Sequence, residues 1–138
     1  MKIKIIIAIG LVLLVINSAC QNEGQLEFAR YYSAGSLVYQ SKCQNCHGKN
    51  GEGLLAMIPP LTDTAYLRTN KGNLACLIKN GVKGKFLLVG KPFEGNMPAS
   101  GLNQVDIANV LTYVGNSFGN KLGTISIEEV SNNLSICK

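Results

Sequence analysis

The spacing of apolar positions changes several times along the 138 residues, and each change predicts an element. Lys2 and Lys4 precede an apolar run from Ile5 to Ile16, which ends in Asn17, Ser18, Ala19 and Cys20. From Glu27 to Lys42, the residues Phe28, Tyr31, Tyr32, Leu37, Val38 and Tyr39 supply the broad apolar face of a helix. A short helix over Asn73–Asn80 follows from Leu74, Leu77 and Ile78 on one face, with Asn73 as N-cap and Gly81 as stop. Phe86-Leu87-Leu88-Val89 reads as a strand, with Gly90-Lys91 turning into Pro92-Phe93 as a small hairpin or extended loop. Ile107, Val110, Leu111 and Val114 form the stripe of an amphipathic helix from Gln104 to Phe118. Asn103-x-x-Asp106 imitates a capping box at its start. A second box, Ser126-x-x-Glu129, opens a terminal helix whose Ile127, Val130 and Leu134 are expected to face inward. These elements are mostly helices, with one short hairpin or extended loop, and the fold class expected is all-α.

The basic start, short apolar run and small residues at its end describe an export signal. Ile5–Ile16 has 12 residues, whereas a membrane span needs roughly 20. Ser18-Ala19-Cys20 also resembles the end of a bacterial lipoprotein signal, in which Cys20 is acylated and becomes the mature N-terminus. Asn17 departs from that pattern, and ordinary cleavage near Ala19 is the alternative. The expected organisation is a signal peptide over 1–19, a polar tether over 20–27, a folded domain over 28–120 and a C-terminal extension over 121–138. The expected location is the periplasmic side of a bacterial membrane, with the lipid as anchor.

Composition narrows the function. A chain that is 46% hydrophobic and 15% charged is not disordered, and its length suits one domain. Removing Lys2 and Lys4 with the leader lowers the net charge from +5 to +3. This basic excess suits nucleic acid, a membrane surface or an acidic protein, and selects none of them. The single histidine excludes mechanisms that need two imidazoles.

That histidine closes the run Cys43-Gln44-Asn45-Cys46-His47. Two thiols at this spacing add to the two vinyl groups of a haem, and the adjoining histidine then supplies the proximal nitrogen. A thioredoxin-like pair would sit at a strand-to-helix junction in a longer α/β pattern. A zinc site drawn from Cys43, Cys46, Cys76 and Cys137 matches no common module, and export favours oxidation of spare thiols. For the sixth ligand, Met97 in Gly95-Asn96-Met97-Pro98 is the best candidate, because Pro98 restricts it to extended backbone. A thioether there raises the reduction potential. Met57 is the rival, with packing as its expected role. Lys71, Lys79 and Lys91 would bind iron only when deprotonated.

The chain resembles the class I, monohaem cytochromes c. The matching residues are Gly35 with Tyr39, Cys43-x-x-Cys46-His47, Pro59-x-Leu61, Asn96-Met97-Pro98 and the helix from Asp106 to Val114, in the family's order and spanning Tyr31 to about Asn120. The resemblance implies a cytochrome c fold, several helices around one covalently bound haem c. It implies thioethers at Cys43 and Cys46, axial ligands His47 and Met97, and a proline carbonyl, that of Pro59 with Pro60 as the alternative, accepting the proton of the ligand imidazole. Gly35 and Tyr39 would meet Val110 and Tyr113 where the first and last helices cross. Val110 stands where a larger Leu is frequent. The stretch from Leu88 to Met97 is similar to cytochrome c domains that serve dehydrogenases and oxidases.

With Cys20 acylated and Cys43 and Cys46 holding haem, Cys76 and Cys137 remain. They form either a disulfide or a buried thiol beside a loose tail. Between Asp63 and Glu94, Arg68, Lys71, Lys79, Lys83, Lys85 and Lys91 have no acidic residue among them, a rim that would steer an acidic redox partner. Nucleic-acid binding and a small-molecule substrate have no supporting motif. The expected function is one-electron transfer between respiratory or periplasmic partners, without enzymatic chemistry. The alternatives are a haem subunit of a dehydrogenase or terminal oxidase, and a haem enzyme or gas sensor with a labile Met97.

Overall fold

The computed structural model describes residues 3–5, 7, 9–11, 23–55, 57–88 and 90–137. Cys20, the expected site of acylation, and the expected cleavage region around Ala19 therefore lie outside the described residues. The described residues between 3 and 11 are helical and exposed, and no described helix is long and apolar enough to cross a membrane. Helix α1 spans Glu23–Lys42. It starts four residues before the expected Glu27, inside the segment read as a tether, and Glu23 in the first turn suits the helix dipole there. A single turn, α2 (Gln44–His47), carries the second half of the Cys-x-x-Cys-His run. After a glycine-rich loop come α3 (Thr64–Thr69), a 3-10 turn (Lys71–Asn73) and α4 (Leu74–Asn80). Strands β1 (Val82–Leu88) and β2 (Lys91–Met97) form one antiparallel hairpin. Helices α5 (Gln104–Val114) and α6 (Ile127–Ser135) complete the fold. The mainly helical architecture with one hairpin is the expected one.

The crossing of α1 and α5 is the most extensive helix contact. Gly35 makes it possible: a Cβ there would strike the Asn109 carbonyl oxygen and come 2.8 Å from Tyr113 Cβ. Asn109 and the expected Tyr113 are thus the nearest neighbours of Gly35. Tyr39, four residues on and on the same face, is 1% exposed and packs against Tyr113 and Phe118 at ring separations of 5.4 and 5.3 Å. Leu37 lies two residues from each, about 200° around the helix, and is 68% exposed instead of joining the apolar face.

In α5 the stripe of Ile107, Val110, Leu111 and Val114 is buried as expected, but so are Ala108 and Thr112. The C-terminal extension explains this. Thr112 Oγ1 donates to the Ile125 carbonyl and accepts from its N–H, while Val130 of α6 is fully buried. The helix ends at Val114, short of Phe118, because Gly115 caps it and Phe118 adopts φ 57°. Asn103 accepts from Asp106 N–H and Ser126 from Glu129 N–H, as their sequence patterns predict. Asn73 makes no side-chain cap, because it closes the 3-10 turn with helical backbone (φ −105°, ψ −10°) instead of the extended conformation of a capping residue. Ile127, at the first position of α6, points outward and is 37% exposed. Leu88 pairs with Lys91, which places the hairpin turn one residue before the expected Gly90-Lys91. Helix α3, which no periodicity in the sequence announces, is capped by Asp63, whose carboxylate accepts from Tyr66 N–H, and it buries Leu67.

Candidate functional site

Cys43, Cys46, His47 and Pro59 come together at the end of α1 and in the loop after α2. Cys43 caps the single turn α2, and the N–H groups of Cys46 and His47 both donate to its carbonyl. This tight turn presents two thiols and one imidazole from five consecutive residues. The Tyr39 hydroxyl donates to the Gly48 carbonyl at 2.6 Å, fixing the exit of the turn. Burial raises the Tyr39 pKa, so it remains a donor. The loop returns to the histidine through Gly53 N–H on the His47 carbonyl and the Leu54–Ile58 bridge. Gly53 adopts φ 67°, and a Cβ there would come 2.8 Å from the Pro59 carbonyl carbon. Glycine at this position lets the loop close on Pro59.

The closure delivers the Pro59 carbonyl to 3.3 Å from His47 Nδ1. With Nδ1 protonated toward this acceptor, Nε2 carries the free lone pair. Burial lowers the His47 pKa, and the Pro59 hydrogen bond opposes that only partly, so the ring is neutral near pH 7 and ready to bind a metal. Cys43 and Cys46 are both free thiols. Burial, and then the neighbouring Cys46, push the Cys43 thiol up to about 11. A redox-active Cys-x-x-Cys pair needs the opposite shift, which argues against the thioredoxin-like reading. The four-cysteine zinc reading fails on another ground: Cys76 and Cys137 are joined as a disulfide.

Met97 lies apart, at the end of β2, paired with Val82. Phe93, Gly95 and Met97 alternate onto one face of the strand, and Phe93 is buried, while Pro92, Glu94 and Asn96 are exposed. Met97 therefore shares the inward face and is half-buried. No hydrogen bond joins it to His47 among the described residues. The hairpin nevertheless approaches the histidine loop, since a Cβ on Gly95 would strike the Met57 carbonyl. Met57 itself is 54% exposed.

The basic rim is partly neutralised by residues distant in sequence. Lys71 pairs with Glu129 at 2.9 Å and Lys85 with Glu94 at 3.8 Å. No ion pair engages Arg68, Lys79 or Lys83 among the described residues. The sequence alone also marks Asn120 only as a domain border. Its side chain is buried and bonds Thr64, Leu61 and Val114, partners that no local pattern reveals.

The cytochrome c family model matches residues 32–117, more than half of the chain. The chain belongs to the cytochrome c family. Among curated relatives, cytochrome c-554(547) of Halothiobacillus neapolitanus is 28% identical over 88 residues, 59% of this chain and 91% of its own length. Cytochrome c-552 of Thermus thermophilus is 28% identical over 90 residues, 62% of this chain and 68% of its own length. Cytochromes c are typically electron carriers, and membership implies covalently bound haem c. The residues present fit that group: two free thiols, a neutral imidazole with its outer nitrogen engaged, and an apolar rim. Leu54, Leu55 and Met57, between His47 and Pro59, are 48%, 86% and 54% exposed, apolar surface of the kind a large flat ring would cover.

Proposed function

We propose that this chain is an exported one-electron carrier with one haem c, attached through Cys43 and Cys46 and ligated by His47 and Met97. The supporting observation is the His47 ring, held by Pro59 beside two free thiols on a chain of this family. The bound group supplies reversible exchange between ferric and ferrous iron. The protein's part is to hold its ligands still. Pro59 fixes the tautomer and direction of His47, and the hairpin fixes the backbone of Met97. Ligands retained in both oxidation states keep reorganisation small, and the thioether raises the potential. Anchoring through acylated Cys20 and docking of an acidic redox partner near Arg68, Lys79 and Lys83 belong to the same reading. A subunit role in a dehydrogenase or oxidase complex uses the same chemistry.

Visible spectra of purified holoprotein in both redox states test the ligand set. Six-coordinate, low-spin iron with sulfur ligation is expected, together with resistance to carbon monoxide. Met97→Ala is expected to bind carbon monoxide rapidly. Rapid binding by the unaltered protein would overturn Met97 as a firm ligand and favour a gas-binding role.

A further inference from the structure

Asn120 lies just beyond the residues matched by the family, yet it is 3% exposed and fully engaged. Its Oδ1 accepts from Thr64 Oγ1 at 2.9 Å, and its Nδ2 donates to the Leu61 carbonyl at 2.8 Å and the Val114 carbonyl at 2.9 Å. Its own N–H donates to Ser117. One side chain thus ties the end of α5 to the start of α3 and to the loop that reaches His47.

The Leu61 contact has leverage because of what precedes it. Pro59 and Pro60 have φ locked near −65° by their rings, so few soft torsions separate Leu61 from the Pro59 carbonyl. Leu61 is held on both sides, its N–H donating to Gly51 at 2.7 Å and its carbonyl accepting from Asn120. Upstream, Ile58 is pinned by its two hydrogen bonds with Leu54. The Pro59 carbonyl is therefore a fixed acceptor suspended between two anchors. We propose that Asn120 is a positioning residue for His47, holding the Pro59 carbonyl on Nδ1 through Leu61 and the rigid Pro59-Pro60 step. This rests on the reading of His47 as haem ligand and extends it to a residue outside the recognised motif. A well-placed acceptor makes the imidazole a stronger donor and favours ferric iron, so loosening it raises the reduction potential.

The test uses NMR and potentiometry on ferrous and ferric holoprotein. In Asn120→Ala the His47 Nδ1–H is expected to exchange with solvent about fivefold faster, the equivalent of one ordinary hydrogen bond, and the potential is expected to rise. Thr64→Val, which removes one of the three side-chain bonds, is expected to move both readouts in the same direction by less, and serves if Asn120→Ala fails to fold. Val130→Ala in α6 is the control, lowering stability while leaving ring exchange and potential unchanged. If the Asn120 and Thr64 variants leave both readouts at wild-type values, or Val130→Ala moves them equally, the inference is overturned. A wild-type His47 ring lacking the large shifts of a porphyrin-bound imidazole would instead overturn the haem reading itself.

Discussion

Gly35→Ala gives the sharpest energetic test of the fold that carries the site. In an unobstructed helix interior, exchanging Gly for Ala stabilises by about 1 kcal/mol. Here the new methyl group meets the Asn109 carbonyl oxygen and lies 2.8 Å from Tyr113 Cβ. A backbone carbonyl in mid-helix has no rotamer to escape into, so α1 and α5 must move apart. Overpacking of this severity costs about 3 kcal/mol. The balance is a loss of about 2 kcal/mol, or roughly 8 °C in Tm for a domain of this size. Gly24→Ala provides the internal comparison, because it lies in the same helix and a Cβ added there would meet nothing within 4 Å. It is expected to be neutral or to gain a few tenths of a kcal/mol. Thermal unfolding of the two holoproteins, followed by far-ultraviolet circular dichroism, reads both. A Gly35→Ala protein that melts at or above the parent temperature refutes the close crossing.

Replacing both Cys76 and Cys137 by Ser removes a bridge across a sequence separation of 61. The chain-entropy treatment gives a loss of about 4 kcal/mol, measurable by denaturant titration, with the visible spectrum unchanged; an equal midpoint would count against the bridge. Oxidation of the reduced holoprotein by hexacyanoferrate(III), an anion, is expected to slow several-fold between low and physiological salt. Lys83→Glu should slow it further at low salt, and a rate indifferent to both changes would argue against steering.

Sequence made the chemistry of the site legible because that chemistry is local. Cys43, Cys46 and His47 lie within one turn, and the stripe of α5 obeys a 3.6-residue period. What stayed hidden depends on distant partners. Thr112 reads as a polar helix position until Ile125 arrives to bond it. Lys71 and Lys85 look unopposed until the fold brings Glu129 and Glu94 alongside. Leu37 satisfies an apolar count but not the angle, since the crossing selects Gly35 and Tyr39 on the other side of α1. Asn120 shows the same limit most clearly, with all three side-chain partners supplied by tertiary structure.

The most direct measurement is peptide mapping by mass spectrometry of protein matured in a host that attaches such cofactors, after extraction with acidified acetone. The predicted result is pigment that stays with the protein, and one haem mass on the single peptide containing Cys43, Cys46 and His47. Colour that leaves with the solvent, or a Cys43–His47 peptide recovered with two unmodified thiols, would contradict the assignment.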